Sequence, residues 1–153
     1  MKIRIISIGK DRRGEFSNAI ERYQKQLPWS LEVIEKEAKK PNAPVEKRMQ
    51  EEAQLMLSAA QDTAIKVAMD ERGKVISSPQ FAEKLEFWQA QGQGDIAFFI
   101  GGADGLAPEL LAQCDYKLSF GAMVWPHQMV RVMLTEQLYR AWSITAGHPY
   151  HRA

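Results

Sequence analysis

The sequence predicts an α/β protein with a mostly parallel sheet flanked by helices. Three observations carry this expectation. Short runs rich in Ile, Val and Phe alternate with longer runs whose apolar residues recur every three or four positions. Glycine, proline and charged residues separate the runs. The alternation persists along the whole chain, and strands that alternate with helices pair in parallel, because each helix carries the chain back across the sheet. A length of 153 residues suits one domain spanning 1–153, and no repeat, low-complexity segment or linker divides it.

Ile3, Ile5, Ile6 and Ile8 read as a buried strand that Gly9 ends. Lys10 to Gly14 is a charged loop. Phe16, Ile20, Tyr23 and Leu27 then fall on one helical stripe, closed by Pro28. Leu31 and Val33 alternate with Glu32 and open a second strand. Ala38 to Pro44 is a basic, proline-containing loop. Met49, Ala53, Met56, Leu57 and Ala60 make Val45 to Ala60 an amphipathic helix. Thr63 to Met69 is expected as the third strand and Asp70 to Gly73 as a polar turn. Ser78 is expected to cap the next helix, with Pro79 in its first turn. That helix carries Phe81, Leu85 and Trp88 and stops at Gly92 or Gly94. Asp95 to Ile100 is a fourth, hydrophobic strand running into Gly101-Gly102-Ala103-Asp104-Gly105. Pro108 to Cys114 reads as a short helix and Tyr116 to Phe120 as a fifth strand.

The stretch from Phe120 to Arg152 holds all three histidines, His127, His148 and His151. Gln128 to Ile144 has helical spacing, with Val130, Leu134, Leu138 and Ala141 on one stripe. Met129, Val132, Met133, Tyr139 and Trp142 cover much of the remaining circumference. One stripe packs a helix on its own domain; apolar residues on more than one face call for a second surface. A second copy of the chain, in a two-fold homodimer, is the expected partner. The alternative is a helix enclosed within its own monomer.

A formal charge of +1 carries no global signature of nucleic-acid binding. The single cysteine, Cys114, has no partner for an internal disulfide or a structural zinc site. The histidines lack an acidic ligand at motif spacing, so no metal is expected. No apolar run approaches the ~20 residues of a membrane span, and MKIRIISIG lacks a cleavable leader pattern, so a cytoplasmic location is expected.

In parallel sheets ligands bind outside the carboxyl ends of the strands. Three loops follow strands: Asp70 to Gly73, Gly101 to Gly105, and Phe120 to Pro126. The glycine loop is neither G-x-G-x-x-G nor a P-loop. His127, His148 and His151 gather in sequence with Arg131, Arg140, Tyr150 and Arg152, a donor set suited to a phosphate-bearing, planar substrate. At this level a nucleotide-dependent oxidoreductase and a non-catalytic RNA- or ribosome-binding dimer remain alternatives.

The motifs narrow the choice. Met69-Asp70-x-x-Gly73-Lys74, Phe99-Ile100-Gly101-Gly102-x-x-Gly105-Leu106, Pro126-His127-Gln128-x-x-Arg131-Val132, Glu136-Gln137-x-Tyr139-Arg140-Ala141 and Tyr150-His151-Arg152 stand in order. Together they resemble the RlmH type of the SPOUT methyltransferase class, small enzymes that methylate N3 of a pseudouridine in 23S ribosomal RNA. The resemblance implies a C-terminal trefoil knot, S-adenosylmethionine as cofactor, an active homodimer and a substrate in the assembled ribosome. It implies a cofactor pocket of Met69, Gly101, Phe120, Gly121, Ala122, Met123, Val124 and Trp125. His127, Arg131, Tyr150, His151 and Arg152 would form the substrate side, with His127 or a tyrosine taking a proton directly or through water and Arg131 or Arg152 steadying the anion. Two positions depart from the pattern. Val124 stands where many relatives have threonine, which removes a hydroxyl from the loop. Met69 replaces the usual leucine, an exchange that conserves volume.

Overall fold

A computed structural model describes residues 1–152. The elements run β1 (Lys2–Ile8), α1 (Ser17–Gln26), β2 (Ser30–Lys36), α2 (Val45–Ala59), β3 (Ile65–Val75), α3 (Ser78–Ala90), β4 (Asp95–Ile100), α4 (Pro108–Leu111), β5 (Tyr116–Ser119) and α5 (His127–Ala146). The strands form one sheet in the order β2-β1-β4-β3-β5. Every pairing is parallel.

Each face of the sheet is covered, which is why the central strands read as continuous apolar runs rather than alternating ones. Ile3 and Ile5 of β1 and Phe98 of β4 pack with Leu85 of α3 and Leu134, Leu138 and Ala141 of α5. Ile6 and Ile8 of β1 and Phe99 of β4 point the other way, onto Ala53 and Met56 of α2 and Leu110 after the glycine loop. Successive residues of a strand face opposite sides, so neighbouring phenylalanines in β4 serve two separate cores. Each such side chain contributes about 1.5–3 kcal/mol by leaving water.

Several boundaries differ from the sequence expectation. The segment Asp70 to Gly73 is not a terminal turn. Strand β3 continues to Val75, and both Met69 and Lys74 pair with Leu118 across an interruption in the register. The intervening residues bulge outward. Gly73 sits so close to β5 that a Cβ would lie 2.7 Å from the Lys117 carbonyl, which only glycine allows. The cap of α3 is Ser77, not Ser78: the Ser77 hydroxyl accepts from the Gln80 N–H, and the Gln80 side chain accepts from the Ser77 N–H. Helix α4 is a single turn that stops before Cys114.

Helix α5 is longer than expected at both ends. Gly147, at φ 69°, closes it, and the His148 N–H reaches back to the Ser143 carbonyl at 2.9 Å. Much of its circumference is covered within the chain. Leu134, Leu138 and Ala141 lie in the core, and Tyr139 is buried against Tyr23 of α1, with ring centroids 5.8 Å apart. Val132 and Met133 remain half-buried beside a groove shared with Val75 and Ile76, and Met129 is exposed.

Candidate active site

A cleft of about 840 Å³ opens beyond the ends of β4 and β5, beside the interruption in β3. Its walls are that interrupted stretch of β3 and the loops that follow β4 and β5. Met69, Gly101, Phe120, Gly121, Met123, Val124 and Trp125 line it, and His127 stands at its edge. Ala122 is exposed and is not among the lining residues.

The walls are built from local constraints. The glycine loop folds on itself: the Gly105 N–H donates to the Gly102 carbonyl at 3.1 Å, and a Cβ on Gly101 would lie 2.7 Å from the Gly105 carbonyl. From outside, Arg48 of α2 forms an ion pair with Asp104 and donates to the Pro41 carbonyl at 3.1 Å. On the opposite wall the Asp70 carboxylate takes a backbone and a side-chain hydrogen bond from Arg72. Burial alone would raise its pKa, but these bonds and the cationic neighbours outweigh it, and the net displacement is downward. Ser119 Oγ accepts from the Gly121 N–H at 3.0 Å and lies within donating reach of the Glu71 and Gly121 carbonyls, joining the third loop to the bulge of β3. Met123 and Val124 are 74% and 82% exposed, so this loop presents apolar side chains that the monomer does not cover.

His127, Arg131, Tyr150, His151 and Arg152 do not converge in one chain. His127 begins α5, and a Cβ on Gly9 would meet its Nε2 at 3.1 Å. Burial, then the nearby Arg131 charge, holds its pKa below the ordinary histidine value. Arg131 turns inward and is only 2% exposed. Its guanidinium is engaged by Glu35 at 2.6 Å and by the Gly9 carbonyl at 2.5 Å. Arg131, expected as an alternative to Arg152 for steadying the anion, therefore faces the ends of β1 and β2 rather than the cleft.

Tyr150 and His151 lie along α5, well away from His127. The Tyr150 hydroxyl donates to Glu136 at 2.9 Å, its ring packs 4.6 Å from Tyr139, and Arg140 lies over it at 5.0 Å. His151 Nδ1 is 3.1 Å from the Arg140 guanidinium. Arg152 is exposed. Two residues outside the expected site matter here: Glu35 and Glu136. The i,i+4 spacing of Glu136 and Arg140 signals an ion pair, which forms at 2.7 Å. Nothing local signals Glu35, whose partner is 96 positions away.

Among the described residues no group of His, Cys, Asp and Glu could hold a metal ion, and no helix is long and apolar enough to cross a membrane. A family model described as "Predicted SPOUT methyltransferase" matches residues 1–151. The chain belongs to the SPOUT methyltransferase family.

The full-length relatives agree with that assignment. This SPOUT methyltransferase is 49% identical over 154 residues to the "Ribosomal RNA large subunit methyltransferase H" of Rhodospirillum centenum, with all of both chains covered. The protein of the same name from Roseobacter denitrificans is 47% identical over 160 residues, with 99% of each chain covered. Among solved structures, a probable methylase family protein from Haemophilus influenzae matches with a TM-score of 0.61 at 19% identity, covering 99% of this chain and 70% of that one. A probable methyltransferase from Bordetella pertussis matches with a TM-score of 0.59 at 13% identity, covering 92% and 95%. At such identities the structural matches speak to the fold alone.

Proposed function

We propose that this methyltransferase uses S-adenosylmethionine to methylate N3 of a pseudouridine in 23S ribosomal RNA, on the assembled ribosome, in the cytoplasm. The observation that carries the reading is the convergence of the β3 bulge and the loops after β4 and β5 on one cleft with His127 at its edge. The names of the full-length relatives supply the substrate class. The cleft suits the cofactor in size, since small-molecule sites run to roughly 300–1,000 Å³. It also suits it in character: apolar Met69, Phe120 and Trp125 stand beside backbone-rich glycine loops. The trefoil threading implied by the resemblance belongs to the same reading.

When bound, the cofactor supplies a methyl group already activated on a sulfonium. The chain's own residues then have to hold the acceptor nitrogen in line and take its proton. Most of the acceleration comes from that positioning. His127, kept neutral by its surroundings, accepts the N3 proton directly or through a water. His151 and Arg152 steady the nitrogen anion. Because they lie toward the far end of α5 from His127, the reading includes a two-fold homodimer in which the tail of one chain serves the cleft of the other. The exposed Met123, Val124 and Met129 and the half-buried Met133 are the apolar surface available to that contact.

The test is transfer of a labelled methyl group, comparing assembled ribosomes with naked ribosomal RNA and mapping the product by mass spectrometry. Label at N3 of a pseudouridine on ribosomes is expected. Cofactor binding without transfer to either substrate would overturn the substrate.

A further inference from the structure

Arg131 is the largest fully buried side chain of the molecule and joins three elements. One guanidinium nitrogen donates to Glu35 Oε2 on β2 at 2.6 Å; the other donates to the Gly9 carbonyl at 2.5 Å, with the Ile8 carbonyl at 3.3 Å. The same Glu35 oxygen accepts from the Asp11 N–H at 2.7 Å. A carboxylate on the edge strand thus fixes both the loop leaving β1 and the first turns of α5. A buried guanidinium without this partner would be left with an uncompensated charge, the costly case for buried ions.

His127 lies one helical turn before Arg131, on the same face of α5. Gly9, at φ 94°, leaves the space that the imidazole fills: a Cβ there would be 3.1 Å from His127 Nε2 and 3.8 Å from the Arg131 guanidinium. The ring is therefore held between a backbone that only glycine supplies and a cation whose counter-ion is Glu35. The charged group acting directly on it is Arg131 from its own helix; Glu35 from β2 and the loop after β1 at Asp11 stand behind Arg131, and the cleft that His127 borders also carries Asp70, Glu71, Arg72 and Asp104. The Asp11 carboxylate is turned away, accepting from the Glu15 and Phe16 N–H groups at 3.2 and 2.9 Å.

We propose that Glu35 is a positioning residue of the methyl-transfer site, acting through Arg131 to set where the His127 ring stands and how strongly Arg131's charge acts on it. This rests on the reading of His127 as proton acceptor. Arg131 disfavours a protonated ring; a carboxylate hydrogen-bonded to that guanidinium is expected to offset part of its field. Burial alone would raise the Glu35 pKa, but the Asp11 and Arg131 hydrogen bonds outweigh it, so Glu35 keeps its charge in the pH range where histidine titrates.

The experiment uses the full chain labelled with ¹³C-histidine. The ring resonances of its three histidines are followed by NMR across pH, and His127 is assigned with a His127→Gln variant. Glu35→Gln keeps an acceptor for Arg131 but removes the negative charge. Its His127 titration is expected to move to lower pH than in the wild type, while His148 and His151 stay unmoved as controls. Glu35→Asp, which retains the charge, restores the wild-type direction in part, and serves as the reporter if Glu35→Gln does not fold. On ribosomes, kcat of Glu35→Gln at its plateau is expected to fall roughly tenfold, with KM little changed and the acid limb displaced in the same direction as the NMR titration. A merely structural role would free the ring to solvent and move its titration upward, toward ordinary histidine; that result, or no movement, overturns the coupling. A downward NMR shift with an unmoved acid limb overturns instead the reading of His127 as acceptor, and with it the part of Glu35 in the reaction.

Discussion

The Tyr150 hydroxyl donates to the Glu136 carboxylate at 2.9 Å, fastening the end of the chain to the middle of α5. Glu136 also accepts from Arg140 at 2.7 Å, and Arg140 in turn meets the Tyr150 ring and His151. The tail is held by a small network rather than left as a solvated end. Tyr150→Phe removes one donor and leaves the Glu136–Arg140 pair intact. It should cost about 1 kcal/mol or less of stability, because the network is partly exposed. Glu136→Ala removes the acceptor of both bonds. If the tail belongs to the substrate side, Glu136→Ala lowers methyl transfer on ribosomes at least tenfold while urea denaturation shows only a modest loss. Wild-type activity in both variants would detach the tail from the reaction.

The separation of His127 from Tyr150 and His151 predicts complementation. A chain defective in its tail (Arg152→Ala) and a chain defective at its cleft (His127→Gln) are each expected to be inactive. Mixed through unfolding and refolding, half of the dimers carry both types, and each of these has one site with neither defect. Activity should return to roughly a quarter of wild type, as two-fold symmetry requires. Heterodimers demonstrated by mass spectrometry but lacking activity would argue against a shared site.

The order of strands and helices was legible because the central strands are apolar on both faces and the helices carry clear stripes. Pairs such as Ile5 and Ile6 declare burial on both sides without any knowledge of the fold. The extension of β3 was not legible, since charged Asp70, Glu71 and Arg72 look like a turn and the pairing that continues beyond them is made with distant Leu118. The cap of α3 was legible in principle: Ser77 and Gln80 have capping-box spacing, but Pro79 drew the boundary one residue late. The cleft-lining loops could be named from motifs, because strand ends and glycines mark them. The inward turn of Arg131 could not. An arginine beside histidine reads as a substrate ligand, and only the fold brings Glu35 and the Gly9 carbonyl to it.

The glycine loop separates two kinds of constraint. At Gly101 the φ is ordinary, but an added Cβ would collide with the Gly105 backbone at 2.7 Å. Gly105 has open space around its Cβ position but a φ of 79°. Gly105→Ala should therefore cost roughly 1–2 kcal/mol of backbone strain and leave the wall of the cleft in place. Gly101→Ala has to push the loop apart. Calorimetry is expected to show cofactor affinity falling at least tenfold more for Gly101→Ala than for Gly105→Ala. Similar losses would mean that the shape of this loop does not define the cofactor site.

Glu52 offers a prediction about pH. It is a buried carboxyl of α2, and its Oε2 lies 4.0 Å from the Cβ position of Gly102. Burial raises its pKa above the ordinary carboxylate value, and the attraction of Arg48 only partly offsets this. The folded chain therefore holds that proton more tightly than the unfolded chain. Its contribution to stability is fully present below the unfolded carboxylate pKa and is lost as pH rises through the raised folded value. Glu52→Gln, which keeps the shape and removes the charge, should raise the melting temperature at pH 7 relative to wild type. The advantage should shrink as pH falls and disappear once wild-type Glu52 is protonated. Scanning calorimetry of both proteins between pH 4 and 8 checks this. A difference in melting temperature that stays constant across the range would show that burial of the carboxylate is not its cause.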